Sequence, residues 1–366
     1  MNTSVKIKRK VLLTVNNNRL SGIEKFTLLL ARYIDKDKFN VTVGIPASGP
    51  LCDLLNMYGI KYFIFENGRN EKHTIKGGFN IYKNIRMNRY DIVHAQAGIT
   101  PCIAAKAAGV RFVIEHKHGL DFTDEEITGM NFVKLQYEKM KKYFTDYTLT
   151  GCEKDRKVLI EKFGYDEKKV ITIYNGLEAE ETEIKKVSGD KLIIGTIGRL
   201  AYQKGQEYFI EMAKILSEER KDCEFHIYGE GENYMMYRNL ILQYKLEDRV
   251  FLKGYTNNIS ETMKSFDVFV LSSRYEGIPY VVLEAMRNSI PLVTTDAGGI
   301  SEIIENMRNG IIVEKGNPAE LARSVNLLLN DSNLSKKLTL NSKNDFESGF
   351  RIEESIKRIE SVFNLK

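Results

Sequence analysis

Short apolar runs alternate with amphipathic segments along the first half of the chain, and polar or glycine-containing loops separate them. Runs that are apolar throughout are typical of strands buried on both faces of a parallel sheet, and the amphipathic segments have the spacing of covering helices. The pattern therefore predicts an α/β fold. The predicted strands are Val11–Val15, Val41–Ile45, Tyr62–Phe65, Ile92–His94, Phe112–His116, Tyr147–Thr150 and Val170–Ile173. The predicted helices include Glu24–Ile34, Leu51–Tyr58, Phe79–Met87 and Cys102–Ala108.

The second half repeats this arrangement and ends in a run of predicted helices. Its last segment, Ile352–Phe363, has apolar residues at 352, 356, 359 and 363, which is a helical stripe. Between the halves, the acidic stretch 178–190 lacks apolar periodicity and is the predicted linker. The predicted strands of the second half are Leu192–Ile197, Phe225–Tyr228, Val250–Leu252, Val268–Leu271 and Pro291–Thr294.

The stretch 272–286 carries two glutamates around a predicted helix start. Gly277 allows a backbone to approach a ligand closely, and Pro279 suits the first position of a helix. Glu276 lies in the turn and Glu284 inside the helix, a separation of about 12 Å along a helix axis. The N–H groups at the helix start suit an anion such as a diphosphate. For the two glutamates alone, a solvated loop residue and a residue on an amphipathic helix are the alternative.

The turn that follows the predicted strand Leu192–Ile197 combines glycines with two cations. Arg199 offers a planar guanidinium and Lys204 a point charge, and both suit a diphosphate. Two solvated cations in a surface loop are the alternative for this turn by itself. Further along, Gly229 and Tyr255 each follow a predicted strand, where we expect a tight turn and a backbone contact near a nucleotide. No third glycine completes a dinucleotide fingerprint after Gly229.

Polar residues also follow two predicted strands of the first half. Gly22 opens a helix, where N–H groups and the helix dipole can face a phosphate. His118 follows the strand Phe112–His116, at the edge where open α/β sheets bind ligands. An isolated histidine is more often a hydrogen-bonded structural residue, and this alternative applies to His116.

Composition limits the classes to which this protein can belong. Its 366 residues suit two domains, and 43% hydrophobic with 28% charged residues describe a globular protein. No apolar run reaches the ~18–20 residues of a membrane span, and the basic first ten residues lack an apolar signal core. The four cysteines, at 52, 102, 152 and 223, are far apart and are typical of reduced thiols. We therefore expect a cytoplasmic protein.

Charge is distributed unevenly along the chain. The net charge is +5, but residues 1–175 hold 29 basic and 19 acidic residues, which leaves the remainder net negative. The basic half predicts an anionic partner, and since no nucleic-acid-binding motif is present, a membrane surface or phospholipid-linked acceptor is favoured. The segment Asn131–Phe144 places four lysines among apolar residues, which suits a helix lying on a membrane. A packed surface helix with solvated lysines is the alternative.

Several of these stretches together resemble the retaining, nucleotide-sugar-dependent glycosyltransferases of the GT4 type. The stretch 272–286 resembles their Glu-x7-Glu signature, and 198–205 resembles their Gly-Arg-Leu-x3-Lys-Gly loop. Gly22 lies in a segment similar to their Gly-Gly-x-Glu loop, with Ser21 in place of the first glycine, and His118 resembles their active-site histidine. The resemblance implies the GT-B fold, in which two Rossmann-like domains have parallel sheets facing a central cleft.

The implied domains are an acceptor-binding domain (1–177), the linker 178–190, a nucleotide-sugar-binding domain (191–348) and a last helix (349–366) that returns to the first domain. Arg199 and Lys204 would stabilise the departing diphosphate. The implied catalytic residues are His118, Arg199, Lys204 and Glu276. The implied donor-binding residues are Gly22, Arg199, Lys204, Gly229, Tyr255, Glu276, Gly277, Ile278, Pro279, Val282, Leu283 and Glu284. Glu276 would hold the sugar and Glu284 the ribose.

The implied activity is that of a retaining hexosyltransferase, with a UDP-sugar as the expected donor and a glycan or lipid-linked hydroxyl as acceptor. Bacterial surface polysaccharide assembly is the expected setting, with peripheral contact to the anionic inner face of the cell membrane. We expect no cofactor and no metal, because the Asp-x-Asp triplet at 35–37 follows a helix among lysines. The alternatives are a nucleotide-sugar epimerase of the same fold and a non-catalytic sugar-nucleotide-binding subunit.

Overall fold

A computed structural model of the chain describes residues 8–18, 20–66, 74–120, 122, 124–180 and 191–365. The chain divides into two compact units, one of Met1–Gly176 with Ile352–Lys366 and one of Leu177–Arg351. Each unit is built around one parallel sheet. No helix in the described ranges has both the length and the apolar character needed to cross a bilayer.

The first unit has a seven-stranded parallel sheet with the strand order β3-β2-β1-β4-β5-β6-β7. Its strands are β1 (Arg9–Thr14), β2 (Phe39–Ile45), β3 (Lys61–Ile64), β4 (Ile92–Ala95), β5 (Phe112–Lys117), β6 (Tyr147–Thr150) and β7 (Val170–Thr172). Its helices are α1 (Gly22–Tyr33), α2 (Pro50–Met57), α3 (Ile75–Asn88), α4 (Thr100–Ala107), α5 (Asp124–Thr128), α6 (Phe132–Lys141) and α7 (Glu153–Glu161).

The apolar runs of the sequence became strands because both faces of this sheet are covered. Val11, Leu12 and Leu13 of β1 are fully buried, as expected for a strand between two helical layers. All seven predicted strands and all four predicted helices are confirmed. Helix α3 begins earlier than predicted, because Thr74 caps it by accepting a hydrogen bond from the Gly77 N–H, and two glycines in the first turn hid this start.

The second unit has a six-stranded parallel sheet with the order β10-β9-β8-β11-β12-β13. Its strands are β8 (Leu192–Ile197), β9 (Cys223–Tyr228), β10 (Val250–Gly254), β11 (Val268–Leu271), β12 (Leu292–Thr295) and β13 (Ile311–Val313). Its helices are α8 (Gln206–Glu219), α9 (Tyr234–Gln243), α10 (Ile259–Lys264), α11 (Tyr280–Arg287), α12 (Pro318–Asn330) and α13 (Ser332–Gly349). The five predicted strands are confirmed. Strand β13 was not predicted, because three residues are too few to show a period.

The last helix, α14 (Ile352–Phe363), belongs to the first unit and has the bounds that its apolar stripe predicted. The four residues of that stripe are buried. The Phe363 ring lies edge-on to Phe39, with 5.5 Å between ring centroids, and the Phe363 carbonyl accepts a hydrogen bond of 2.6 Å from Arg9 Nη1. These contacts attach α14 to β1 and β2. Of the predicted linker 178–190, residues 181–190 lie outside the described residues.

Strand order reverses once in each sheet, and this determines where ligands bind. In the first unit the reversal lies between β1 and β4, and in the second between β8 and β11. At such a point the loops leaving neighbouring strands diverge to opposite faces and open a crevice at the carboxyl ends of the strands. The sequence-predicted site residues follow β1, β5, β8, β9, β10 and β11, so they lie at this edge of their sheets.

Candidate active site

The loops that leave β8, β9 and β10 touch one another through glycines. The Gly229 N–H donates a 2.8 Å hydrogen bond to the Gly254 carbonyl, and Tyr255 follows directly with its ring more than half exposed. At Gly229, φ is +142° and an added Cβ would lie 1.9 Å from the Gly198 carbonyl oxygen. Only glycine fits there, so this residue sets the close approach of the β8 and β9 loops.

The two cations of the β8 loop have different surroundings. Arg199 is exposed, and within the described residues its guanidinium makes no hydrogen bond or ion pair. Lys204 instead donates a 2.6 Å hydrogen bond from Nζ to Glu276 Oε1. Since Glu276 follows β11, this ion pair crosses the point at which the strand order reverses. The structure thus brings together two predicted site residues from opposite sides of the crevice.

Glu276 is fixed from three sides. Its Oε1 also accepts a 2.6 Å hydrogen bond from Ser273 Oγ, and the side chain is only 6% exposed. Its carbonyl oxygen lies against the loop after β12, where Gly298 has φ +69° and an added Cβ would come within 1.8 Å of that oxygen. Any side chain at 298 would displace Glu276, which gives this glycine loop a specific structural function.

The loops after β8 and β11 are also held together by Arg274. Its backbone N–H donates a 2.8 Å hydrogen bond to the Gln203 carbonyl. Its guanidinium stacks over the rings of Tyr202 and Tyr208, at 4.1 and 4.7 Å from their centroids, and pairs with Glu207. Arg274 was absent from the predicted site. Its contacts join residues about seventy positions apart, which local patterns do not show.

Helix α11 carries the second glutamate of the signature. Pro279 precedes the helix as its N-cap, with φ −75° and ψ +130°, and so lies one position before the first helical position that the sequence suggested. Ile278, Val282 and Leu283 are buried, which anchors the helix start in the core. Glu284 is 1% exposed. The two glutamates lie in the turn and inside the helix, as the spacing predicts.

In the first unit, the helix after β1 begins at Gly22, with Ser21 as its N-cap. Glu24 Oε2 accepts hydrogen bonds from the Ser21 N–H, at 3.3 Å, and from the Ser21 hydroxyl. Burial raises the pKa of Glu24. Serine in place of the family's first glycine therefore has a structural explanation, because its N–H and hydroxyl both contact Glu24 at this helix start.

His118 lies just beyond β5 between two amide side chains. Its Nε2 is 2.9 Å from Gln96 Oε1, and its Nδ1 is 3.4 Å from Asn175 Oδ1. The His116 ring stacks on it at 4.0 Å between centroids, and His94 stacks on His116 at 5.5 Å. Burial lowers the pKa of His118 to about 4, so the ring is neutral at pH 7. Gln96 follows β4, and its polar character at a strand end was the signal that could have identified it.

No group of three metal-binding side chains occurs among the residues described. In the predicted surface turn at 35–37, Asp35 pairs with Lys38 at 2.6 Å, and this interaction lowers the Asp35 pKa. Among the described residues, the polar groups that follow β8 and β11 include the Lys204–Glu276 ion pair, the exposed guanidinium of Arg199 and the buried carboxylate of Glu284. Such a set can bind a phosphate and hydroxyl groups by charge-assisted hydrogen bonds.

Comparison with solved structures identifies the fold. The chain resembles the Anabaena protein HepE in a complex with UDP and glucose, with a TM-score of 0.84 and 21% identity over 98% of this chain and all of that one. A structure of TarM gives a TM-score of 0.82 at 16% identity, over 99% of this chain and all of that one. These likenesses show that the chain has the GT-B fold.

The family models identify the chain further. "Glycosyltransferase Family 4" matches residues 20–181 and "Glycosyl transferases group 1" matches residues 178–345. The chain belongs to the GT4-type glycosyltransferases. A UDP-Gal:α-D-GlcNAc-diphosphoundecaprenol α-1,3-galactosyltransferase of Escherichia coli is 28% identical over 94% of both chains. An α-D-kanosaminyltransferase of Streptomyces kanamyceticus is 35% identical over 45% of this chain and 44% of its own.

Proposed function

We propose that this protein transfers a hexose from a UDP-sugar to a hydroxyl of a lipid-linked or polymeric glycan acceptor, with retention and without a metal, in surface polysaccharide assembly. The observation that carries the proposal is the Lys204–Glu276 ion pair across the β8/β11 crevice, with the exposed Arg199 in the same loop as Lys204. The donor and acceptor classes are supported by the E. coli relative, whose name specifies UDP-Gal and a diphosphoundecaprenol-linked sugar.

On the donor side, negative charge builds up on the departing diphosphate as the sugar bond breaks. Fixed cations aimed at that charge lower the barrier, and Arg199 and Lys204 are assigned this task. Glu276 is assigned to hydroxyls of the donor sugar and Glu284 to the ribose. The donor also contacts the α11 start at Gly277, Ile278, Pro279, Val282 and Leu283, with Gly229 and Tyr255 near the base.

From the first unit, His118 and Gly22 are assigned to the donor. A neutral imidazole has one N–H, which donates from Nε2 to Gln96 Oε1, and this leaves the Nδ1 lone pair to accept a hydrogen bond from a sugar hydroxyl. The neutral ring also adds no charge near the anomeric carbon. Gly22 at the start of α1 offers backbone N–H groups to a phosphate, in line with the helix dipole. Each residue thus has an assignment suited to its chemistry, and no step requires a cofactor.

The test is a panel of nucleotide-sugars screened for protection against thermal unfolding, followed by transfer to a lipid-diphosphate-linked sugar. We expect protection by UDP and one UDP-sugar, and a product that retains the donor's anomeric configuration. Interconversion of the donor without an acceptor would favour an epimerase instead. Binding without turnover would favour a non-catalytic subunit, provided that Lys204→Met abolishes the binding.

We also propose that α6 places the protein on an anionic membrane. Phe132 and Val133 of α6 and Tyr143 of the turn after it are 73%, 77% and 73% exposed, so three large apolar side chains of one short segment face water. Exposed apolar residues interspersed with lysines are typical of helices that lie in a lipid interface. A packed surface helix with solvated lysines, the alternative drawn from the sequence, would bury its apolar side chains and would not leave these three open to water.

The expected attachment is reversible. Lys141 is paired with Glu138 at 2.6 Å, which neutralises its charge. Lys142 donates a 2.6 Å hydrogen bond to the Gly164 carbonyl oxygen, which leaves its charge in place, so we expect Lys134, Lys139 and Lys142 to attract lipid. At about 1 kcal/mol per lysine, three contribute roughly a hundredfold in partitioning. Because exposed charges are screened over about 8 Å at physiological ionic strength, salt should weaken this attraction.

Flotation with anionic and neutral vesicles tests whether α6 binds a membrane. We expect binding to anionic vesicles at low salt, release by salt, and loss in a Phe132→Ser/Val133→Ser variant. Met235 of α9, 55% exposed in the second unit, offers a matched control, and Met235→Ser should leave binding unchanged. Equal absence of binding to both lipids at low salt would contradict the membrane proposal without affecting the transferase proposal.

A further inference from the structure

The guanidinium of Arg287 lies almost entirely inside the second unit, one helical turn after Glu284 on α11. It pairs with Glu284 Oε2 and with Glu180 Oε2, the latter at 2.9 Å. Its Nη1 donates a 3.0 Å hydrogen bond to the Glu178 carbonyl oxygen. Three acceptors around one buried cation differ from an exposed surface ion pair, in which both side chains remain mobile and solvated.

Further hydrogen bonds fix this arrangement from the other side. Ser260 Oγ lies 2.7 Å from Glu180 Oε2 and 3.1 Å from Asn288 Oδ1. Asn288 Nδ2 donates a 2.8 Å hydrogen bond back to the Glu284 carbonyl oxygen. The Ser260 hydroxyl has one hydrogen, so it donates to Glu180 Oε2, the nearer of the two acceptors. The contacts therefore link Glu284 through Arg287 and Glu180 to Ser260, and such a chain of hydrogen bonds restricts the movement of its members.

Glu284 requires such a partner because it is 1% exposed. A buried carboxylate without a nearby cation has lost its hydration and gained nothing in return. A glutamate side chain also has three rotatable bonds, and a ligand that must order them binds more weakly than one that meets an ordered acceptor. Arg287 meets both needs, since it supplies the charge and holds one of the two carboxylate oxygens.

We infer that Arg287 is a positioning residue for the donor nucleotide: it holds Oε2 of Glu284 and thereby presents the carboxylate to the ribose hydroxyls. The inference rests on the proposed function, which assigns Glu284 to the ribose. Arg287 itself does not touch the nucleotide in this scheme. Arg287 thereby raises the affinity for nucleotides that carry the ribose hydroxyls, and so increases the preference for a ribonucleotide over a deoxyribonucleotide.

The test compares the dissociation constants of UDP and 2′-deoxy-UDP by calorimetry in the full chain. Hydrogen bonds to charged groups contribute enough to expect about a tenfold preference for UDP in the wild type. Glu284→Gln should abolish most of the preference. Arg287→Ala should weaken UDP binding about tenfold and 2′-deoxy-UDP binding much less, and Arg287→Lys should restore part of the preference. Arg287→Gln gives the same comparison if Arg287→Ala does not fold.

Arg220→Ala is the matched control, because Arg220 is also mostly buried and ion-paired, with Asp222 at 2.7 Å. It lies at the amino ends of the strands, so it should lower stability without changing the ratio of the two constants. If Glu284→Gln loses the preference and the Arg287 variants keep it, the inference is overturned and the proposed function stands. If Glu284→Gln keeps the preference, the ribose assignment itself fails.

Discussion

Replacing Glu276 by glutamine should separate the binding of the nucleotide from the transfer of the sugar. The change removes one negative charge and keeps the shape of the side chain. That carboxylate accepts hydrogen bonds from Lys204 Nζ at 2.6 Å and from Ser273 Oγ at 2.6 Å. Lys204 is therefore shared between Glu276 and an incoming diphosphate, and the variant should release it to the diphosphate.

The substitution should lower turnover but raise the affinity for UDP. A hydrogen bond from a donor-sugar hydroxyl to a carboxylate contributes about 1.5–3 kcal/mol, so its loss should lower turnover roughly 10- to 150-fold. UDP lacks the donor sugar, so its binding does not lose this hydrogen bond. It gains an unshared ammonium, and because the Lys204 side chain is 18% exposed and partly screened, we expect a gain of about 1 kcal/mol, or roughly fivefold tighter binding.

Calorimetry measures the dissociation constant of UDP, and steady-state kinetics with the UDP-sugar measure turnover. Glu207→Gln is the matched control, because Glu207 is also an ion-paired glutamate of the second unit, 17% exposed and bound to Arg274. It should not tighten UDP binding. If Glu276→Gln weakened UDP binding as much as turnover, Glu276 would contact the nucleotide, and this division of tasks would be refuted.

Three further outcomes are expected. Glu284→Ala should weaken UDP binding, measured by calorimetry, more than turnover at saturating donor, and the reverse pattern would exchange the tasks of the two glutamates. Activity should survive EDTA, and a loss restored by magnesium or manganese would disprove metal independence. Burial lowers the pKa of His94 to about 3, far below the ~6.5 of an unfolded histidine. The unfolded chain therefore binds the proton first, and stability should fall as pH decreases from 6.5, by about 1.4 kcal/mol per pH unit for this group. Urea unfolding of His94→Leu should show a smaller pH dependence, and an unchanged one would contradict the burial argument.

Much of the fold was predictable because its signals are local. An apolar run such as Val268–Leu271 lies within one strand, and an apolar stripe such as that of Ile352–Phe363 lies within one helix. The spacing of Glu276 and Glu284 is equally local, since one turn and one helix contain both. Strand β13 and the start of α3 were missed where the local signal is short or is interrupted by glycine.

By itself, the sequence determined which segments are strands and helices and which loops carry cations, carboxylates and glycines. Only the tertiary structure decided which of these groups meet. Lys204 and Glu276 are 72 positions apart, and His118 and Asn175 are 57 apart. Arg287 reaches back to Glu178 over 109 positions. Hydrophobic periodicity reports the burial of each segment, whereas these pairs depend on how distant segments are arranged when each unit assembles. The Lys204–Glu276 pair, for example, requires the reversal of strand order between β8 and β11.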